Sequence, residues 1–298
     1  MKFLLLGSNG QLGFELSKAA KQRGFNCQGL DKPLFDITDQ KTIYEVICQE
    51  GISFVVNAAA YTAVDKAESE RDCAFAVNNE GAGYLAGACA ERNLPLIHIS
   101  TDYVFDGSKK APYVETDPIN PISVYGESKA AGENAVRNAH GRHIILRTSW
   151  LYGSHGNNFV KTILRLASER EELRVVADQY GCPTYAADLA SAILSICDRI
   201  QRRERIEWGT YHYCGAGVTT WHEFARQICE KSRRYVALRC SHVKAITTEE
   251  FPTPAKRPPY SALDCKKIEA SFGIARTFWQ DSLAEMLELL VTNKPIDE

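Results

Sequence analysis

The chain has 298 residues, of which 45% are hydrophobic and 24% are charged, and its formal net charge is −2 at pH 7. This is the balance of an ordinary globular protein, and it predicts no general attraction to nucleic acid or to an anionic membrane surface. The sequence has no run of the roughly 20 apolar residues that cross a bilayer, and its ten cysteines show neither C-x-x-C nor metal-ligand spacing, so we expect a cytoplasmic protein with reduced thiols and with neither a nucleic-acid nor a membrane partner.

The first predicted element is a short apolar strand that leads into a glycine-rich turn. Lys2–Leu6 predicts a buried parallel strand, and residues 14–23 predict a helix. Between them Gly7, Gly10 and Gly13 have the spacing G-x-x-G-x-x-G, which permits a tight turn and close approach of the backbone to a pyrophosphate. The free N–H groups at the start of the helix would face the phosphates. The turn therefore predicts dinucleotide binding, through Gly7, Asn9, Gly10, Gln11, Leu12 and Gly13.

A second short strand, residues 26–30, ends at Asp31, about 20 residues after the glycines. A carboxylate at this position accepts hydrogen bonds from a ribose 2′-hydroxyl, which favours NAD(H). Lys32 follows it and would tolerate a 2′-phosphate, so the sequence leaves both NADH and NADPH open as cofactors. Asp36 and Ile37, in the loop after this strand, are further predicted cofactor contacts.

Strands and helices alternate through the rest of the first half. Strands are predicted at residues 52–57, 95–100 and 143–147, and helices at 40–50, 73–93 and 127–139. This alternation predicts an α/β fold with a doubly wound parallel sheet, which is a Rossmann domain. Ligands of such sheets bind at the carboxyl ends of the strands. Ala60, Tyr61 and Thr62, which follow the third strand, are therefore predicted to border the cofactor.

Tyr125 and Lys129 stand four residues apart in Y-G-E-S-K, so a helix presents both on one face. A lysine cation beside a phenol favours the phenolate and lowers the pKa of the phenol from its usual value of about 10. Thr101, in the earlier segment S-T-D-Y, supplies a hydroxyl for the same carbonyl oxygen. These three residues predict a catalytic site for a carbonyl/alcohol couple with Tyr125 as general acid. Tyr125 and Lys129 are predicted cofactor contacts as well, Lys129 through the nicotinamide ribose.

The alternation loosens after Trp150. Helices are predicted at residues 158–168, 187–199, 221–231 and 279–292, and a strand at 173–177. Residues 209–215 predict a strand that returns to the main sheet. We therefore expect a Rossmann domain over residues 1–149 and a smaller α/β substrate-binding lobe over most of residues 150–298.

The glycine turn and the segment V-Y-G-E-S-K resemble those of the extended short-chain dehydrogenase/reductase superfamily. Within it the chain resembles the dTDP-4-dehydrorhamnose reductases, through S-T-D-Y-V-F-D-G, R-T-S-W-L-Y-G and D-Q-Y-G-C-P-T taken together. The resemblance implies reduction of the C4 ketone of dTDP-4-dehydro-L-rhamnose by a reduced nicotinamide cofactor, in the synthesis of rhamnose-containing surface polysaccharide. It also implies that Thr101, Tyr125 and Lys129 are catalytic and that Asp102 and Trp150 contact the sugar.

The remaining candidate residues concern the nucleotide and a metal. Asn158 is predicted to cap a helix and to contact the nucleotide, and Arg257 is a candidate for the substrate diphosphate because a guanidinium matches phosphate geometry. Glu15 matches a glutamate that some members of the family use in a Mg²⁺ site between subunits, which makes a homodimer and Mg²⁺ candidates. Ala187 stands where a second glutamate is expected, with Asp188 one position later, and this departure weakens the case for the metal.

Two alternatives remain open. The first is another NDP-sugar enzyme of the superfamily, such as a different reductase, an epimerase or a dehydratase. Dehydratases usually have Asp-Glu after the threonine, whereas here Thr101 and Asp102 are followed by Tyr103. The second is a non-catalytic regulatory subunit, since the regulatory subunit of methionine adenosyltransferase resembles the same reductases. The intact Thr101, Tyr125 and Lys129 favour an enzyme.

Overall fold

A computed structural model describes residues 2–292, and a six-stranded parallel sheet lies at its centre. The strands are β1 (Lys2–Leu6), β2 (Asn26–Leu30), β3 (Ile52–Asn57), β4 (Leu96–Thr101), β5 (His143–Thr148), β6 (Leu151–Tyr152), β7 (Glu172–Val176), β8 (Tyr180–Gly181), β9 (Thr184–Tyr185), β10 (Gly209–His212), β11 (Thr219–Thr220) and β12 (His242–Ile246). The central sheet has the order β2-β1-β3-β4-β5-β10, and every neighbouring pair is parallel. The winding direction reverses between β1 and β3, which is where ligands bind in such sheets.

Helices cover both faces of this sheet. They are α1 (Gln11–Gln22), α2 (Gln40–Ile47), α3 (Val64–Ala67), α4 (Arg71–Phe75), α5 (Ala82–Glu91), α6 (Val124–Ala139), α7 (Phe159–Glu169), α8 (Ala186–Gln201), α9 (Trp221–Ser232), α10 (Lys266–Phe272) and α11 (Trp279–Thr292), with a π-helical turn at Ala76–Gly81 and a 3₁₀ turn at Asp102–Val104.

The apolar run of β1 is explained by its two covered faces. Phe3 and Leu5 pack with α1 and α8 on one face, whereas Leu4 and Leu6 pack with α2 and α5 on the other. All four side chains are fully buried, as is typical of strands in parallel sheets. The doubly wound α/β fold predicted from the sequence is confirmed.

A second hydrophobic cluster lies beside the sheet and is built by α7, α9, α11 and β7. β7 pairs in parallel with β12 to form a small additional sheet. In contrast, α8 packs in the cluster of the central sheet, and β10 is one of that sheet's strands. The second half of the chain therefore contributes to both clusters. Its division into a Rossmann domain and a substrate-binding lobe at residue 149 stays a prediction.

Several predicted helices differ from the structure at their ends: α1 begins at Gln11 rather than at residue 14, and α2 ends at Ile47 rather than at residue 50. α6 begins at Val124 rather than at residue 127, because Ser123 Oγ accepts a hydrogen bond from Gly126 N at 3.2 Å and caps the helix. The helix predicted over residues 73–93 contains the π-helical turn. A Cβ atom at Gly132 of α6 would lie 1.9 Å from Asn78 O in that turn, so glycine allows the two segments to pack directly on each other.

None of the helices in residues 2–292 combines the length and the apolar character needed to cross a bilayer. The ten cysteines are all free thiols. Cys214 and Cys265 are buried side by side, but the 3.6 Å between their Sγ atoms is a van der Waals contact and not a disulfide bond.

Candidate active site

The glycine turn lies at the carboxyl end of β1 and leads directly into α1. Gly7 has a φ of +78°, and a Cβ atom there would lie 2.6 Å from Ala59 N. A Cβ atom at Gly13 would lie 2.1 Å from the Gly7 carbonyl oxygen. Because only glycine fits at these two positions, the backbone of the turn stays uncovered at the start of α1, as a bound pyrophosphate requires.

Asp31 fixes the rim of this turn. Its Oδ2 accepts a hydrogen bond from Asn9 N at 2.8 Å, and its Oδ1 accepts one from Lys32 N at 2.7 Å. Lys32 Nζ forms an ion pair with Asp36 Oδ2 at 2.9 Å. Asp31 and Lys32 line the cavity described next. Asn9 and Asp36, two predicted cofactor contacts, do not line it.

A cavity of about 710 Å³ extends from the glycine turn along the carboxyl ends of the strands. Its volume lies within the ~300–1,000 Å³ usual for small-molecule sites. The predicted site residues that line it are Gly7, Gly10, Gln11, Leu12, Gly13, Asp31, Ile37, Ala60, Tyr61, Thr62, Thr101, Asp102, Tyr125, Lys129, Trp150 and Asn158. Sequence motifs that are far apart along the chain therefore meet in one space.

Tyr125 and Lys129 lie one turn apart in α6 and both line the cavity. Lys129 is buried, and its Nζ donates a hydrogen bond to the Ile99 carbonyl oxygen at 2.7 Å. Burial lowers the pKa of Lys129 to about 8, although the nearby Glu133 carboxylate opposes the shift. The ammonium form is still the major one at neutral pH.

The pKa of Tyr125 differs from what the sequence led us to expect. Burial raises this pKa to about 12, and the neighbouring Thr101 hydroxyl only partly offsets the rise. The expectation that Lys129 lowers it is wrong for this structure, because burial is the largest effect and the ammonium is hydrogen-bonded to Ile99 O. The phenol is therefore protonated at neutral pH, which is the state that a proton donor needs.

Glu133, one turn beyond Lys129 in α6, is fully buried and anchors this region. Its carboxylate accepts hydrogen bonds from Ser100 Oγ at 2.6 Å, from Arg147 Nε at 2.8 Å and Nη2 at 2.7 Å, and from Arg137 Nη2 at 2.6 Å. Burial by itself would raise the pKa of Glu133, but these partners outweigh it and lower the pKa to about 2. A charged carboxylate therefore joins α6, the helix of Tyr125 and Lys129, to β4 and β5.

Thr101 and Asp102 occupy the end of β4. Thr101 Oγ1 lies 3.0 Å from Asp102 Oδ1 and accepts a hydrogen bond from Tyr103 N at 3.2 Å. Asp102 is 2% exposed, and its Oδ2 has no hydrogen-bond partner within residues 2–292. Burial raises the pKa of Asp102 to about 7.

Trp150 lines the cavity together with Trp221, a residue that was not predicted to belong to the site. The two indole rings stack with 3.5 Å between their centroids and an interplanar angle of 8°. Gly181 makes room for them, because a Cβ atom there would lie 2.4 Å from the Trp150 ring. Trp221 is the first residue of α9 and lies far from the other motifs in sequence, so no local spacing marks it as a site residue.

Asn158 caps α7 and also contacts the glycine turn. Its Oδ1 accepts a hydrogen bond from Lys161 N at 3.1 Å, and its Nδ2 donates to Gly153 O at 2.7 Å and to Gln11 Oε1 at 3.1 Å. His155 in the same loop stacks on Phe14, with 4.3 Å between ring centroids. The loop before α7 therefore contacts α1, the helix that follows the glycine turn.

Comparison with known proteins shows the family of the chain. The family model described as RmlD substrate binding domain matches residues 1–292. A dTDP-4-dehydrorhamnose reductase of Aggregatibacter actinomycetemcomitans is 44% identical over 284 residues, which are 95% of this chain and 97% of that protein. The chain belongs to this family.

Solved structures of the family superpose closely on the chain. A dTDP-4-dehydrorhamnose reductase from Clostridium acetobutylicum has a TM-score of 0.91 and 40% identity, over 97% of this chain and 99% of that one. A dTDP-4-dehydrorhamnose reductase from Bacillus anthracis, solved in complex with NADP, has a TM-score of 0.89 and 38% identity over the same fractions. The family resemblance inferred from the motifs is confirmed.

Besides Asn9 and Asp36, two more predicted site residues, Arg257 and Glu15, lie outside the cavity lining. Arg257 forms an ion pair with Asp65, with 2.8 Å between Nη2 and Oδ2, so its charge is already matched. Glu15 is buried and accepts a hydrogen bond from Ser154 Oγ at 2.7 Å. Residues 2–292 contain no group of three or more His, Cys, Asp or Glu side chains that could hold a metal ion. The described side chains of one copy of the chain therefore do not form the Mg²⁺ site that the resemblance implied.

Proposed function

We propose that this chain reduces the C4 ketone of dTDP-4-dehydro-L-rhamnose to give dTDP-L-rhamnose, with NADH or NADPH as the reductant. The observation that carries the proposal is the meeting of Thr101, Tyr125 and Lys129 with the glycine turn in one cavity. A carbonyl reduction needs a hydride source, a proton donor and a group that binds the oxygen, and this cavity has a place for each. The family membership supports the same reaction.

The residues of the turn and of the strand ends fit a dinucleotide. Gly7, Gly10 and Gly13 would hold the pyrophosphate, Asp31 and Lys32 would face the adenosine ribose, and the nicotinamide end would lie near Lys129, in a cavity lined by Ala60, Tyr61 and Thr62 as well. When bound, the reduced nicotinamide supplies the hydride for C4.

Tyr125 then acts as the general acid. Its phenol is protonated at neutral pH and donates that proton to the alkoxide that develops at C4. Lys129, one turn further along α6, would hold the nicotinamide ribose, as the resemblance implies. Thr101 binds the C4 oxygen with its hydroxyl, and the paired Trp150 and Trp221 rings give the sugar an apolar wall.

The reaction class is tested by stoichiometry. With dTDP-4-dehydro-L-rhamnose the purified protein should consume one reduced cofactor for each sugar reduced, and with dTDP-glucose alone it should do nothing. Dehydration needs an additional acid at the position of Tyr103, and burial raises the pKa of that phenol, so it does not replace a carboxyl group. The nicotinamide absorbance and the sugar products report both arms.

The outcomes separate the alternatives. Formation of a 4-keto product from dTDP-glucose without added reductant would make the chain a dehydratase. Absence of turnover with every NDP-4-ketosugar, together with stable co-purification of a larger enzyme, would favour the regulatory subunit. A cytoplasmic location and a homodimer belong to this proposal as predictions, to be checked by fractionation and by light scattering.

Cofactor choice is tested at Asp31. Asp31→Ala should weaken NADH binding more than NADPH binding, because the carboxylate offers a charge-assisted hydrogen bond to a 2′-hydroxyl and repels a 2′-phosphate. Fluorescence titration of both cofactors measures the two dissociation constants. Glu45→Ala, an exposed acid of α2, is the matched control and should change neither. Equal losses for both cofactors would show that Asp31 acts only through its hydrogen bonds to Asn9 and Lys32.

A further inference from the structure

The Thr101 hydroxyl has one proton to donate, and more than one oxygen atom can accept it. A threonine hydroxyl donates one hydrogen bond and accepts two. Oγ1 already accepts from Tyr103 N at 3.2 Å and lies 3.0 Å from Asp102 Oδ1. If Asp102 is a carboxylate, the single hydroxyl proton is directed at Oδ1, and none is left for a substrate oxygen in the cavity.

We propose that Asp102 is a positioning residue that sets the direction of the Thr101 hydroxyl. When its carboxyl is protonated, it donates a hydrogen bond to Oγ1 and leaves the hydroxyl proton of Thr101 free for the ketone oxygen. When it is ionised, it accepts the hydrogen bond of that hydroxyl instead. The proposal rests on the proposed function, because it assigns Thr101 to the oxygen of the reacting ketone. It adds the requirement that Asp102 be protonated for full activity, beyond the roles of Thr101, Tyr125 and Lys129.

A proton on Asp102 leaves the Thr101 hydroxyl proton unused by its two neighbours. In that state Oγ1 accepts from Tyr103 N and from Oδ1–H, which fills both acceptor positions. Its own proton is then free for the neighbouring Tyr125 oxygen or for a substrate oxygen in the cavity. Oδ2 is buried and has no partner within residues 2–292, so an ionised carboxylate would leave one charged oxygen without a hydrogen bond. Oδ1 is the oxygen with a partner, which places the proton on it.

The surroundings of Asp102 favour its neutral form. The titratable groups that face it are the phenols of Tyr103 and Tyr125. The hydroxyls of Ser261 and Thr101 and the backbone N–H groups of Asp102 and Tyr103 favour the carboxylate, but burial outweighs them. Arg257, the cation that acts on Tyr103, is paired with Asp65. With burial as the main cause, the pKa of Asp102 rises from its usual range to about 7. Asp102 is therefore protonated below about pH 7 and ionised above it.

The sign of the pH effect follows from this. In the wild type, kcat at saturating substrate should fall as the pH rises through about 7, by about tenfold per pH unit. The fall should end near the kcat of Thr101→Ala, which lacks the hydroxyl and should be ~10²-fold slower than the wild type at low pH. Deprotonation of Lys129, whose pKa burial lowers to about 8, gives a second fall at higher pH. Asp102→Asn cannot ionise, so it should lose the first fall and keep the second, whatever its absolute rate.

Asp106→Asn is the matched control. Asp106 lies in the same loop, but its pKa is lowered to about 2 by hydrogen bonds from Ser108 and Asn120, so it is ionised throughout the assay. This variant should keep both falls. Retention of the first fall in Asp102→Asn, or its persistence in Thr101→Ala, would overturn the proposal.

A spectroscopic measurement makes the result independent of turnover. Infrared difference spectra of wild type against Asp102→Asn should show a protonated carboxyl band that disappears as the pH rises through neutrality. In Thr101→Ala that band should shift, because the carboxyl proton loses its acceptor. If the protein has no reductase activity but the band still depends on pH and still shifts in Thr101→Ala, the proposed function is wrong and the hydrogen bond between Asp102 and Thr101 is supported. Absence of the band at acidic pH would overturn the inference itself.

Discussion

Tyr125→Phe should abolish turnover, with a loss in kcat of ~10²–10⁴-fold, while cofactor binding stays nearly unchanged. The substitution removes only the phenolic oxygen. The ring keeps its edge-to-face contact with Tyr103, where the ring centroids are 5.7 Å apart, so the shape of the cavity is retained. The loss arises because the alkoxide at C4 then has no positioned proton donor.

Steady-state rates with a 4-ketosugar and a fluorescence titration of the cofactor measure the two sides of this prediction. Tyr44→Phe is the matched control, since the Tyr44 hydroxyl bonds Glu91 at 2.6 Å away from the cavity, and it should leave kcat unchanged. A near-normal kcat in Tyr125→Phe would remove the phenol from the mechanism. An equal loss in the control would point to a general effect on folding.

Glu133→Ala should lower the free energy of unfolding by ~3–5 kcal/mol, because it leaves Arg147 buried without its partner. Arg147 is only 2% exposed and makes two hydrogen bonds to this carboxylate. The loss of the carboxylate also removes the charge that supports the pKa of Lys129, so the remaining activity should fall at a lower pH than in the wild type. Urea denaturation measures the stability, and a pH–rate profile measures the second effect.

Glu169→Ala provides the comparison. Glu169 pairs with Arg165 on the exposed side of α7 at 3.1 Å, and its removal should change stability by less than about 1 kcal/mol. Because the pKa of Glu133 is lowered to about 2, its contribution to stability is present above its usual pKa of about 4.3 and is lost only as the pH falls toward 2. An unfolding free energy of Glu133→Ala equal to that of Glu169→Ala would show that the network is not a main support of the fold.

Local sequence patterns are sufficient to predict those parts of the site that come from a single segment of the chain. The glycine turn follows from a strand, three glycines and a helix in succession, and Tyr125 and Lys129 follow from the period of one helix. These features depend on neighbours in the sequence, and the structure places them as expected in one cavity. The same holds for β1, whose continuous apolar run indicates burial on both faces.

Features that depend on tertiary contacts could not be predicted in this way. Trp221 reaches the cavity only because α9 packs beside the sheet and stacks its first residue on Trp150. The high pKa of Tyr125 results from burial by several segments, which outweighs the effect that helical spacing alone suggested. The early start of α6 depends on one cap, Ser123, whose hydroxyl is not distinguished from other serines by any pattern in the sequence.

The place of β10 in the sheet has a consequence for biosynthesis. β10 pairs with β5, but about 60 residues separate the two strands in the chain. While the ribosome adds those residues, the outer edge of β5 has no partner, although every side chain of β5 is destined for burial. The nascent chain thus carries an open, aggregation-prone edge until Gly209–His212 has emerged, and a nucleotide-binding half cut at residue 149 would keep that edge permanently.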